Sequence, residues 1–502
     1  MTNSADATTQ QESTENRSTT PSNPAFRERI SQGWAPHTEV LPAERSAAAW
    51  ARARRDRVSA QYPGVRVIVP AGVLKQRSND TDYPFRAHSA FAHLTGWGAD
   101  AEPGAVLVLE PTRDGHEAIV YFRERAGRDS DEFYANPEIG EFWIGPRPSL
   151  EHVAADLGVE TRHLDEFGVA PGAAPVALVR EADPGLTSRV DAARLVAPTD
   201  DDGSRDARLA RDVSELRLVK DAFEIDEMRA AVAATARGFE DIIRELGTAS
   251  AHPRGERVVE GAFHGRARLE GNEVGYETIA ASGAHACILH WTRNDGPVRN
   301  GDLLLVDAGV ELDSLYTADI TRTLPVSGTF TAQQRLVYET VREAADAAFA
   351  IVRPGVTFRT IHETAMTVIA RRTAEWGLLG VSADEALAPE GQHHRRYMVH
   401  GTSHHLGLDV HDCAAARRDL YLDGVLEEGM VFTIEPGLYF QPDDLTVPAE
   451  LRGIGVRIED DVLVTASGVE NLSAGIPRTA DEVESWMRAV RQGGSDAPQA
   501  RG

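Results

Sequence analysis

Four acidic residues stand inside stretches of sequence that otherwise read as buried β-strands. Asp307 ends the apolar run of DLLLVDAG (302–309), and Asp319 sits inside LYTADITRTLPV (315–326). Glu435 interrupts MVFTIEPGLYF (430–440), and Glu459 interrupts VRIEDDVLVT (456–465). Short aliphatic and β-branched runs bounded by Gly or Pro read as strands with buried faces. A carboxylate in such a strand is costly unless it is paired or bound to a metal. The segment ELDS between the first two acids offers a turn, so their strands are expected to form a hairpin with both aspartates on one face. Taken singly, each acid has a plain alternative, as a surface acid or a partner of Arg322 or Arg457. Taken together, four converging carboxylates without counter-charge would force several to protonate. Two divalent cations would cancel their formal charge, and an acid-rich shell with one imidazole suits hard-to-intermediate metals.

The imidazole is offered between the two acid pairs. HGTSHHLGLDVHD (400–412) holds four of the chain's 17 histidines: His400, His404, His405 and His411. A histidine alone is more often structural than a ligand, so the segment draws its meaning from the acids on either side of it.

The chain divides in texture. From about residue 26 to 205, runs such as VRVIVPAG (65–72), AVLVLEP (105–111) and EAIVYF (117–122) predict the strands of an α/β domain. VAPTDDDGSRDARL (196–209) is acidic, contains Pro and Gly, and reads as a linker or exposed loop. From 206 to 490, helical periodicity over 224–246, 331–355 (Thr331 as N-cap) and 357–377 flanks the acid-bearing strands twice over. That order predicts an α+β domain with two similar halves. The Ser/Thr/Asn/Gln-rich residues 1–25 and the residues 491–502 read as a disordered leader and a flexible tail.

With 502 residues, the chain has room for two to three domains. A formal net charge of −26 opposes nucleic acid and anionic membrane as partners. No apolar run reaches the length of a membrane span, and the N-terminus lacks the pattern of a signal peptide. The two cysteines, Cys287 and Cys413, exclude a disulfide framework and fit a reducing cytosol, so a cytoplasmic location is expected. GTSHH lacks the G-x-S-x-G arrangement of a serine nucleophile, and nothing beside Cys413 activates a thiol.

In order, VDAG, ADITRT, HGTSHHLGLDVHD, IEPGLY and GVRIEDD resemble the signature of the pita-bread metallopeptidases, and within them the aminopeptidase P (Xaa-Pro aminopeptidase) group. The likeness spans about residues 216–472. It continues into the N-terminal region through DYPFRAHSAFAHLTGW (82–97) and EFWIGPR (141–147). The resemblance implies a pita-bread catalytic domain behind an N-terminal α/β domain. It implies five metal ligands at Asp307, Asp319, His404, Glu435 and Glu459, holding two divalent ions, most simply Mn²⁺. It further implies hydrolysis by a hydroxide shared between the ions, with Glu435 as proton carrier and His411 stabilising the reacting carbonyl. His290, His400 and Tyr439 would line or support the substrate site, Arg457 would back the carboxylates, and His405 would pack. The implied substrates are peptides with proline in second position, and the implied assembly is a homo-oligomer, dimer or tetramer. A prolidase, which accepts only dipeptides, shares the five ligands and is the nearest alternative. Between Asp307 and Asp319 the turn carries one residue more than the family pattern.

Overall fold

A computed structural model of the chain describes residues 21, 23–169, 174–196 and 203–493. The expected leader (1–25) and tail (491–502) therefore lie almost wholly outside the described residues. The chain forms two compact units, one ending at Asp206 and the other beginning at Ala207. No described helix is long and apolar enough to cross a membrane.

The first unit is built on a mixed five-stranded sheet in the order Glu160–His163, Gly115–Phe122, Val106–Thr112, Arg66–Pro70, Val176–Leu178. The three apolar runs seen in the sequence form its middle, joined antiparallel. Ile68, Val108, Ile119 and Leu178 fill the core on one side. The short helix Ser89–Thr95 ends on Gly96, whose φ of 73° provides the left-handed stop. Arg54 and Arg55 close that end by donating to the carbonyls of His93 and Leu94, at 3.0 and 2.8 Å.

One expectation fails here. Residues 204–209 are helical, not loop, and belong to the helix Ser204–Glu215. Of the four aspartates that gave the stretch its acidic texture, Asp206 is buried and takes hydrogen bonds from Arg194, Arg180 and the backbone N of Leu178. A carboxylate with that many donors is stable inside, which composition alone does not convey. The rest of the proposed linker, 197–202, lies outside the described residues.

The second unit repeats a pattern of helix pair and sheet. Helices Ala222–Ala251 and Gly255–Glu270 precede a sheet ordered Ile320–Pro325, Leu303–Ala308, Ile279–Ser282. Helices Ala332–Ile351 and Phe358–Glu375 precede one ordered Val431–Ile434, Asp460–Thr465, Gly468–Asn471. Thr331 caps its helix as expected, its hydroxyl accepting from the Gln334 backbone while the Gln334 side chain reaches back. The α/β and α+β classes read from the sequence are both present.

The hairpin forms with Asp307 opposite Thr321. Asp319 lies two residues before Thr321 and shares its face, but it precedes the strand Ile320–Pro325 rather than lying inside it. In the turn between them, Leu315 adopts a φ of 71° and donates its N–H to the Leu312 carbonyl at 2.8 Å. In the second half, Ile434 pairs with Asp460 and Gly437 with Arg457. That single register sets Glu435 opposite Glu459 at a break in the ladder, not within continuous strands. The break has a cause in Pro436, which has no N–H to give. The N–H groups of both glutamates are used elsewhere: Glu435 donates to the Thr402 carbonyl at 2.9 Å, and Glu459 to the Thr321 carbonyl at 3.1 Å.

Candidate active site

The two acid pairs meet on one cavity of about 710 Å³ in the second unit. Its wall includes Asp307, Asp319, His404, Glu435 and Glu459, together with His290, His400, His411 and Arg457. Ligand atoms of Asp319, His404 and Glu459 lie within 4.8 Å of one another. His404 Nε2 is 3.3 Å from Asp319 Oδ2 and 3.6 Å from Glu435 Oε1. Asp307 joins this group through Tyr276, whose hydroxyl lies 2.6 Å from Asp307 Oδ1 and as close to Asp319 Oδ1. One phenolic proton is thereby shared between two carboxylates. The other Asp307 oxygen accepts from Arg457 Nη2.

Local structure explains how each donor is aimed. The hydroxyl and N–H of Thr433 bracket the His404 backbone, with Thr433 Oγ1 accepting from His404 N at 3.2 Å and Thr433 N donating to His404 O at 3.0 Å. Thr321 Oγ1 donates to Glu459 Oε2 at 2.7 Å. Asp461, wholly buried, accepts from Asp319 N at 3.1 Å. Arg322, offered by the sequence as a partner for the acids, instead binds Asp460 Oδ1 at 2.6 Å and the backbone carbonyl of Glu459 at 2.6 Å.

The electrostatics describe a site short of positive charge. Burial raises Glu459 well above the carboxylate range, and Asp319, Glu435 and Asp307 add to it. Burial and Asp307 raise Asp319. Burial lifts Glu435 to about 7 against the pull of His404 and Arg457. Burial alone would lower His404, yet Asp319 and Glu435 raise it to about 9. Protons thus crowd onto oxygens and an imidazole that share one small space. A divalent cation relieves the same crowding, and oxygen donors with one imidazole and no thiolate are the chemistry such an ion takes. The residues therefore fit the metal centre expected from the sequence.

The other expected residues fall in two places. His411 stands edge-on to His404, with ring centroids 4.3 Å apart; burial and then His404 lower its pKa. His290 is exposed on the wall. His400 lies on the wall as well, with Nε2 hydrogen-bonded to the Tyr439 hydroxyl at 2.7 Å. Tyr439, expected to line or support the substrate site, stands one layer back. It is buried and not on the wall, and its hydroxyl takes up Arg457 Nη1 at 3.1 Å as well as His400. His405 packs, stacked on Phe358 at 4.7 Å between ring centroids.

Sequence reasoning missed Tyr276, Thr321 and Asp461. The last two lie inside the quoted motifs, two residues from Asp319 and Glu459, and the two-residue alternation of a strand puts them on the ligand face. Tyr276 had no such signal.

Likeness to known proteins extends over nearly the whole chain. The pattern of metallopeptidase family M24 matches residues 226–466, and that of the aminopeptidase P N-terminal domain matches 51–170. The chain is 50% identical over 471 residues to Xaa-Pro aminopeptidase 1 of Streptomyces coelicolor, covering 92% of each. It is 34% identical over 464 residues to the Xaa-Pro aminopeptidase of Escherichia coli, covering 88% of this chain and 98% of that one. Among solved structures, the low-pH form of E. coli aminopeptidase P superimposes with a TM-score of 0.76 at 32% identity, covering 89% of this chain and 100% of that chain. A zinc-substituted E. coli aminopeptidase P in complex with product superimposes with a TM-score of 0.75 at the same identity and coverage.

Proposed function

The chain belongs to metallopeptidase family M24 in its aminopeptidase P branch, and from that premise we propose that it is a metal-dependent Xaa-Pro aminopeptidase, releasing the first residue of peptides whose second residue is proline. The observation that carries this reading is the convergence of Asp319, His404 and Glu459, with Asp307 and Glu435 beside them, on one substrate-sized cavity.

We assign the metal to these five residues: two divalent ions, balancing four carboxylates, with Mn²⁺ the natural choice for oxygen ligands and one imidazole. When bound, such ions polarise a carbonyl and make water acidic enough to attack near neutral pH. The chain's own residues supply the rest. Glu435 faces the cavity beside His400 and His404 and is the group to take up and return a proton. His411, next to His404 on the wall, is placed to donate an N–H to the carbonyl oxygen as charge develops there. His290 offers a second imidazole on the same wall. Arg457 holds Asp307 in place and presses on His400 from behind through Tyr439.

The wall also bears on peptide length. Among the described residues lining the cavity, the one lysine or arginine is Arg457, and Asp307 already occupies it. A dipeptide-specific enzyme needs a cation for the carboxylate that follows proline at once. A cavity without a spare one favours substrates that continue past proline, which sets the aminopeptidase reading above a prolidase. A cytoplasmic location and a homo-oligomeric state complete the proposal. They rest on cysteine usage and family resemblance.

Metal removal tests the assignment. Dialysis against a chelator should abolish peptide cleavage, and added Mn²⁺ should restore it. Asp319→Asn, which removes one charge at nearly constant shape, should lower bound metal and abolish activity. Full activity in the stripped protein or in this variant would overturn the metal reading.

A further inference from the structure

The ring of His290 has no hydrogen-bond or ion-pair partner among the described residues, and it stands exposed on the cavity wall. Its position is therefore set by the backbone segment that carries it, between Ser282 and Gly296. We propose that Glu256, which lies outside the cavity wall, is the positioning residue for His290 and acts by clamping both ends of that segment. The inference rests on the reading above that His290 serves the substrate.

Glu256 sits in the first turn of helix Gly255–Glu270 and is wholly buried. Four N–H groups converge on its two oxygens, and all four come from the one segment. Oε1 accepts from Ser282 N at 2.9 Å and from His285 Nδ1 at 2.7 Å. Oε2 accepts from Trp291 Nε1 at 2.9 Å and from Gly296 N at 2.6 Å. Two of these anchors precede His290 in the chain and two follow it, Trp291 directly. The His285 and Trp291 rings also stack on each other, 3.9 Å between centroids, so the two sides of the segment are tied together across the carboxylate. Asn294 adds a second tie, accepting from Ala280 N at 2.9 Å and donating to the Thr278 carbonyl at 2.8 Å.

The chemistry requires a carboxylate. Each oxygen has two lone pairs and no proton, which matches four donors with none left over. An amide would set its NH₂ against two of them. The packing is equally specific: a Cβ on Gly296 would lie 2.7 Å from Glu256 Oε2 and 2.6 Å from His285 Cε1, so only glycine lets the backbone N–H come this close. A buried acid so fully committed to one segment has a cheaper structural substitute in an apolar side chain, unless the segment itself must be held in one position.

The test uses the Mn²⁺-loaded enzyme and the variants Glu256→Gln, His290→Ala and the double variant. Amide hydrogen exchange of residues 283–296 should speed up in Glu256→Gln while bound metal stays unchanged. With an Xaa-Pro-Yaa peptide, Glu256→Gln should lower kcat/KM on the order of ten-fold or more in the wild-type background. In the His290→Ala background the same change should lower it less than about two-fold, because a residue acting through His290 has nothing left to act on. Unchanged exchange, or equal losses in both backgrounds, would overturn the proposal. Should Glu256→Gln fail to fold, Trp291→Phe removes one donor and keeps the ring stack. The same two-background comparison then applies, with unequal losses supporting the clamp and equal losses overturning it. Turnover by the unmodified enzyme tests the proposed function separately, and the exchange measurement decides the clamp whether or not that peptide is cleaved.

Discussion

At His404 and His405 the chain places consecutive imidazoles in opposite surroundings. His404 faces Asp319 and Glu435, whose charge holds a proton on its ring against the effect of burial. His405 is buried against Phe358, Tyr421 and Phe432, and neither ring nitrogen meets a hydrogen-bond partner among the described residues. A buried polar atom without a partner costs roughly 1–3 kcal/mol, so a ring of similar size without nitrogens should do better there. His405→Phe is expected to keep metal and activity and to raise the unfolding temperature by a few degrees. His404→Ala should lose metal, and His411→Ala should keep it while losing on the order of 10²–10³ in kcat, as for one transition-state donor. Metal content, kcat and melting curves of the three variants check this together. Loss of metal on changing His405 but not His404 would mean that the segment is read one residue out of register.

Among the elements, the first unit carries a pH-sensitive turn. The loop after helix Ser89–Thr95 brings Glu102 partly inside, and burial pushes its carboxyl up to about 7, with Arg147 opposing and Asp100 adding. The folded state thus keeps a proton that the unfolded chain releases near the ordinary value of 4.5. Stability is fullest below that value and declines as pH rises toward 7. Glu102→Gln should flatten the decline, seen as a smaller loss of melting temperature between pH 5 and pH 8 than in the unmodified protein; parallel curves would contradict it. How much of this architecture was legible in the sequence varies by element. Strands such as Val106–Thr112 and Leu303–Ala308 were legible because apolar runs report burial directly. The helix at Ser204–Glu215 was not, since Asp206 reads as solvated until Arg180 and Arg194 are seen to enclose it. Nor was the ladder break at Glu435 and Glu459, because it depends on a register between strands far apart in sequence. That Asp307, Asp319, His404, Glu435 and Glu459 would meet on one cavity was legible by their motifs. Tyr276 was not, since a tyrosine outside any motif gives no sign that its hydroxyl will reach two aspartates.

In the whole molecule, one cavity poor in positive charge serves one reaction. In the proposed reaction the buried acids take cations and the histidines serve a carbonyl, and the wall has no spare lysine or arginine among its described residues to end a dipeptide. Proline in second position adds its own condition: its amide has no N–H, so under the proposed function the site holds the ring by packing and the carbonyl by its imidazoles. The most direct measurement incubates the purified, Mn²⁺-supplemented protein with Xaa-Pro, Xaa-Pro-Yaa and Xaa-Ala-Yaa and identifies the products by mass. Release of the first residue from Xaa-Pro-Yaa is expected in preference to Xaa-Ala-Yaa, with no further step once proline is N-terminal. Cleavage of the dipeptide alone, or equal cleavage of the alanine peptide, would contradict the proposed function.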